Sequence, residues 1–112
     1  MKIVNKISVK ELQKMAQKMD GNIVKADVDI VKKIVIVDMP MHFEGEQELL
    51  QNGSKQNDLW GINLIPANFG TDEFIVYESM INIKPLVNTN MLIQSDETKA
   101  QIKEIISGVV HE

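Results

Sequence analysis

Two aspartates two positions apart, Asp27 and Asp29, are the nearest approach to a ligand pair in this 112-residue chain. They lie in Ile23-Val24-Lys25-Ala26-Asp27-Val28-Asp29-Ile30, where apolar and polar residues alternate as in a strand. Both carboxylates therefore project side by side from one face. Oxygen donors placed like that suit a hard cation such as Mg²⁺, and a divalent cation is the one cofactor for which the sequence offers ligands. His42 is the second candidate. Glu44, Glu46 and Glu48 follow it, then Asp58, and an imidazole among carboxylates is suited to general-base work near neutral pH. With Asp27 and Asp29 as metal ligands and His42 or Glu48 as base, the set describes a small metal-assisted hydrolase. Plainer readings compete with it: a solvated sheet face explains the aspartates, and a histidine at a helix entry explains His42. The chain has no cysteine and only one other histidine, His111, so zinc spacing is missing. Phosphate-loop, dinucleotide and nucleophile-elbow motifs are missing as well.

Charge narrows the partners. All twelve basic residues are lysines and the net charge is −4. Arginine is the preferred fork for phosphate and guanine edges, so nucleic acid is a poor fit. Five of the lysines fall within residues 1–20. They outline a basic helix that a solvated face explains, with an acidic partner or contact to nucleic acid as weaker readings. Five scattered aromatics offer no stacking platform for single strands. No apolar run approaches the ~20 residues of a membrane span and no targeting segment opens the chain, so the expected location is the cytoplasm.

These residues must be positioned by a short list of elements within one domain, residues 1–112. Ser8 and Glu11 have capping-box spacing, and Val9, Leu12, Met15, Ala16 and Met19 form one stripe, which predicts a helix over 9–19 closed by Asp20-Gly21. Strands are expected at 23–30 and 34–39, joined as a hairpin, although Val31-Lys32-Lys33 lacks turn chemistry. A short helix at 44–52 has its acids near the N-terminus, where the helix dipole favours them. Strands at 59–65 and 74–83 follow, linked by a wide loop at 66–72. Residues 85–94 read as irregular. The stripe Ile102, Ile105, Ile106, Val109, Val110 marks a last helix from Ser95 or Asp96. The order α-β-β-α-β-β-α argues for an α+β two-layer domain: an antiparallel four-stranded sheet with helices on one face.

That fold leaves a second sheet face half polar and half aliphatic, carrying Asp27, Asp29, Asn63, Glu78, Asn82 and Lys84. An uncovered face of this kind, or an open strand edge, suits self-association, and the leading expectation is a non-enzymatic binding or assembly module with no identified small-molecule ligand. Trp60, beside Gly61, either caps a cleft or is simply the largest core side chain. The block from Asn52 to Leu64, Asn-Gly-Ser-Lys-Gln-Asn-Asp-Leu-Trp-Gly-Ile-Asn-Leu, followed by Ser79-Met80-Ile81-Asn82-Ile83-Lys84-Pro85, resembles a small prokaryotic family known as a domain of unknown function. The likeness extends over most of the chain. In that family Arg usually stands at the position of Lys84, and the residues after it are more basic than Leu86–Leu92 here. The resemblance implies a shared fold and no activity. It directs attention to Asp58, Trp60, Asn63, Ser79, Asn82 and Lys84 as binding residues.

Overall fold

The computed structural model describes residues 1–19 and 21–112; the expected helix end at Asp20 lies outside them. Among the described residues the order is β1 (Lys2–Val4), β2 (Ile7–Ser8), α1 (Val9–Ala16), β3 (Val24–Asp29), β4 (Ile34–Val37), α2 (His42–Gln51), β5 (Leu59–Leu64), β6 (Ile75–Val76), α3 (Asp96–Val109) and β7 (Val110–His111). Short 3₁₀ turns stand at Gln56–Asp58, Pro66–Asn68 and Met80–Asn82.

The class is α+β, but the sheet has five strands, not the expected four, in the order β1-β4-β3-β5-β6 with antiparallel neighbours throughout. The extra strand, β1, is three residues long and borrows its register from β4, too short a segment to alternate visibly. A separate two-stranded ladder pairs Ile7 and Ser8 in parallel with Val110 and His111. Ser8 caps α1 as its spacing predicts, accepting from the Glu11 backbone N–H (3.1 Å). Of the two starts open for the last helix, Ser95 is the cap, accepting from the Thr98 N–H (3.2 Å). The helix expected over 9–19 leaves α geometry after Ala16, because Lys18 and Met19 donate three residues back, to Met15 and Ala16.

The larger correction concerns coverage. Val24, Ala26 and Val28 pack with Trp60, Ile62 and Leu64 beneath Leu12, Met15 and Ala16 of α1 and Ile102 and Ile106 of α3. A two-layer fold would leave the opposite face open, and here it is closed. Helix α2 lies across it, and Ile36, Met39, Leu49 and Leu59 form a second, smaller core there. Gly45 permits this approach: a Cβ at that position would collide with Asp27 Oδ2 and lie 2.7 Å from Met39 Cε. Helices therefore flank the sheet on both sides.

The strand expected over 74–83 is also revised. Only Ile75–Val76 pair in the ladder, after which the chain folds into a lobe, residues 78–92. Gly108 is a different matter from Gly45. It lies within α3 and a Cβ there would meet nothing within 4 Å. Gly108→Ala is expected to raise stability by about 0.5–1 kcal/mol, the helical preference of Ala over Gly. A urea unfolding midpoint equal to or below that of the parent would contradict this.

Candidate functional site

The alternation of β3 points Lys25, Asp27 and Asp29 away from the main core, as the sequence predicts, and α2 then seals the aspartates in. Both are fully buried, and each has its own task. Asp29 is consumed by its hairpin. Its Oδ1 accepts from the backbone N–H groups of Val31 (2.9 Å) and Lys32 (2.8 Å), and Oδ2 accepts from the Ser54 hydroxyl (2.6 Å). The turn chemistry missing from Val31-Lys32-Lys33 is thus supplied by a side chain at the strand end, while Lys33 takes a left-handed backbone (φ 57°).

Asp27 faces His42, the first residue of α2. His42 Nδ1 stands 2.8 Å from Asp27 Oδ1, and Nε2 stands 3.0 Å from Asn63 Oδ1. Asn63 donates from Nδ2 to the Glu78 carbonyl (3.3 Å), which turns its oxygen toward the ring. An oxygen at that position only accepts, so Nε2 carries its hydrogen, and the Asp27–Nδ1 contact needs a proton on one atom or the other. Burial pushes the Asp27 carboxyl up to about 6; the His42 hydrogen bond and charge oppose the rise, and the charge of Glu46 adds to it. Among the described residues Asp27 Oδ2 and Glu46 Oε2 are buried without a well-formed hydrogen bond, although the Glu46 backbone N–H also acts to hold the Asp27 carboxyl down.

Ser79 is close by, since its Oγ would lie 2.6 Å from a Cβ placed on Gly61 and His42 Nδ1 3.0 Å from the same point. It does not complete a nucleophilic triad: both ring nitrogens face other partners, and Ser79 Oγ accepts from the Ile81 N–H (3.3 Å). Glu48 is six residues further along α2, about 9 Å of helical rise from His42. It is engaged by Asn52 Nδ2, at 2.7 Å to its carbonyl and 3.0 Å to its carboxylate. Among the described residues no three His, Asp or Glu side chains gather where they could hold a metal ion. The sequence-derived base and ligand candidates therefore separate, with Asp27 and His42 joined and Asp29 and Glu48 elsewhere.

Of the remaining sequence-derived residues, Asn82 and Lys84 build the lobe, while Asp58 and Trp60 lie outside it. Beyond β6 the edge of β5 has no strand to pair with, and the Asn82 carboxamide takes its place: Oδ1 accepts from the Gly61 N–H (2.8 Å) and Nδ2 donates to the Gly61 carbonyl (3.0 Å). Lys84 is buried, donates to the carbonyls of Gln56 (2.8 Å) and Ile81 (3.1 Å), and lies 4.8 Å from the Trp60 ring centre. Burial lowers its pKa, against the opposing charges of Glu46, Asp58 and Asp27. Trp60 belongs to the main core, and half-buried Asp58 donates its N–H to Lys55 and lends its carbonyl to Ile30. One residue escaped the sequence reading entirely. Asn88 donates to the carbonyls of Asn82, Asn90 and Leu92 (3.0, 2.8 and 2.9 Å) and accepts from the Gln94 N–H, knitting the lobe from within. Its partners are gathered by the loop itself, so no local pattern announces it.

The lobe is consequently inside out. Asn82, Lys84 and Asn88 are buried, whereas Met80, Ile83, Leu86, Val87, Met91 and Leu92 face solvent. Exposed Met41 and Phe43 stand at the start of α2, the helix on which Met80–Asn82 packs. Leu86 is the extreme case: it is completely exposed and holds φ +65°, in a turn where Val87 donates back to the Lys84 carbonyl (3.0 Å). Pro85 followed by a left-handed residue is the type II pattern, in which Gly or Asn is the relaxed choice.

A five-stranded antiparallel sheet with helices on both faces, one polar relay under α2 and an apolar lobe beside it, defines an α+β domain with no helix long and apolar enough to cross a membrane among the described residues. The chain belongs to the family described as protein of unknown function (DUF5674), whose model matches residues 1–109. No curated protein and no solved structure matches the chain.

Proposed function

We propose that this protein is a binding and assembly module whose partner is a second copy of itself, docked lobe to lobe. The carrying observation is the inverted packing of residues 78–92, with polar Asn82, Lys84 and Asn88 buried and, of seven large apolar side chains, only Ile81 within and six outside. Folding alone favours the reverse, and exposed apolar residues concentrated in one segment mark contact sites. Charge supports a copy of the same chain as the partner. Between Glu78 and Asp96 the only ionisable side chain is Lys84, which is buried, so the patch has no exposed charge although the chain carries −4. Two such patches meet about a two-fold axis without like-charge repulsion, as an isologous interface requires. Asn82, Lys84 and Asn88 then serve as the scaffold that presents the patch, and Leu86 as its tip.

Sedimentation velocity over a concentration series tests this. The expected result is a concentration-dependent dimer; a monomer at every concentration would overturn the reading. Leu86→Gly sharpens it. Glycine relieves the left-handed strain, so the isolated fold should gain about 1 kcal/mol, while the loss of the apolar tip weakens association at least about ten-fold. A variant that gains stability and associates as before would remove Leu86 from the contact.

A further inference from the structure

We infer that the buried Asp27–His42–Asn63 relay is a proton-operated latch on the lobe, holding it in its docking shape when the pair is protonated and releasing it when the proton is lost; this rests on the assembly reading above. The geometry gives the sequence of events. Asn63 is fixed at both ends, by His42 Nε2 (3.0 Å) and by the Glu78 carbonyl (3.3 Å), and Glu78 is the root of the lobe, bridged to Leu92. While a proton lies between Asp27 Oδ1 and His42 Nδ1, the hydrogen on Nε2 remains pointed at Asn63. Once that proton departs to solvent, a carboxylate oxygen and a nitrogen lone pair confront each other across 2.8 Å. The ring relieves this by carrying its remaining hydrogen on Nδ1 instead of Nε2. Nε2 then presents a lone pair to Asn63 Oδ1, so the carboxamide must turn, and in turning it gives up the Glu78 carbonyl.

The surroundings concentrate the effect. Asp27 Oδ2 is buried with no well-formed hydrogen bond, and burial holds the carboxyl near 6 against the His42 and Glu46 backbone hydrogen bonds, inside the range where imidazole titrates. Charged groups act on the pair from the packed elements: Glu46 from α2 and Lys84 from the lobe, with Asp58 of the 3₁₀ turn before β5 acting in turn on Lys84. On β3 itself the neighbours on this face are Lys25 and Asp29, the latter already committed to its turn. Ser79, adjacent to Glu78, packs on Gly61 directly under the ring, so ring and lobe root share one contact.

Amide hydrogen exchange over residues 79–92, corrected for its intrinsic pH dependence, reads the latch whether or not the protein associates. Protection is expected to fall at least about ten-fold between about pH 5 and about pH 8 in the parent chain. In Asp27→Asn it should remain level, because the introduced carboxamide can donate permanently to Nδ1. Nitrogen-15 spectra of the His42 ring should show the hydrogen moving from Nε2 to Nδ1 over the same interval in the parent chain only. Level protection in the parent, or a ring hydrogen that stays on Nε2, would overturn the latch. If sedimentation finds a monomer while lobe protection still follows pH, the assembly reading fails and the proton-operated lobe stands. If the dimer is equally stable at both pH values while protection falls, the link to docking fails.

Discussion

Gly61→Ala should cost about 3 kcal/mol and free the lobe from the sheet. A Cβ there would lie 2.5 Å from Ser79 Cβ, 2.6 Å from Ser79 Oγ and 3.0 Å from His42 Nδ1. None of these atoms belongs to the flexible end of a long side chain, and both residues are buried, so the neighbours cannot simply swing aside. Overpacking of this kind costs roughly 1–3 kcal/mol. The position carries a second liability, because both Gly61 backbone groups are bonded to the Asn82 carboxamide at 2.8 and 3.0 Å. Pushing Ser79 outward draws Asn82 with it, three residues along the same 3₁₀ turn, and leaves two buried backbone groups without partners, each worth about 1 kcal/mol or more. The expected readout is a lower urea midpoint together with loss of exchange protection at Ser79–Asn82. Ordinary protection there, with a stability change below about 1 kcal/mol, would mean that this contact is softer than its distances indicate. Ala at an interior strand position would otherwise be favoured over Gly, so local propensity and tertiary packing predict opposite signs, and the measurement separates them.

How far the sequence carries this fold can be read from particular residues. Ser8, Ser95 and the alternation of Val24 to Asp29 are local signals, since a cap or a strand face depends on neighbours within a few positions, and the structure follows them. Alternation states which way Asp27 points but not what lies above it. The covering element, α2, is short and weakly apolar, and its decisive residue, Gly45, contributes by having no side chain. A glycine within a helix lowers helical propensity, so the feature that makes the packing work weakens the signal for the element. The strand expected over 74–83 fails for a related reason. Phe74, Val76 and Met80 keep a strand-like spacing, but Asn82 reaches Gly61 with its side chain and replaces strand pairing by a carboxamide. Side-chain mimicry of backbone is invisible to periodicity. Of the sequence-derived site residues, Asp27, His42 and Asn63 converge, while Asp29 and Glu48 are taken up by local turns and ends; pairing across fifteen and twenty-one positions is a tertiary fact.

Asp27→Asn is expected to stabilise the protein at neutral and alkaline pH by up to about 3 kcal/mol, and to change little in acid. The carboxyl titrates at its ordinary 3.8 when unfolded and near 6 when folded. Its folded pKa is raised, so below about 4 both states hold the proton and ionisation costs nothing. Between about 4 and 6 the unfolded chain loses its proton first, and stability falls as pH rises; above 6 the full penalty applies. The interval of about two units corresponds to about 3 kcal/mol at 1.36 kcal/mol per unit. Asp27 has no solvent exposure, so solvent screening does not reduce this figure much. Asparagine has the shape of the protonated acid, with an amide nitrogen where the hydroxyl would be, and donates from it to His42 Nδ1. Urea unfolding of both proteins from about pH 4 to about pH 8 should give curves that coincide in acid and diverge steadily through pH 6. Parallel curves would show that Asp27 ionises in the folded protein as easily as in the unfolded one. Divergence has a wider implication. A buried carboxylate that destabilises the neutral fold, where asparagine would serve as scaffold, costs stability, as is common where a residue has work beyond holding the structure together. The proton-operated lobe proposed above would be such work, and under that proposal the same substitution that strengthens the fold leaves exchange protection of the lobe insensitive to pH.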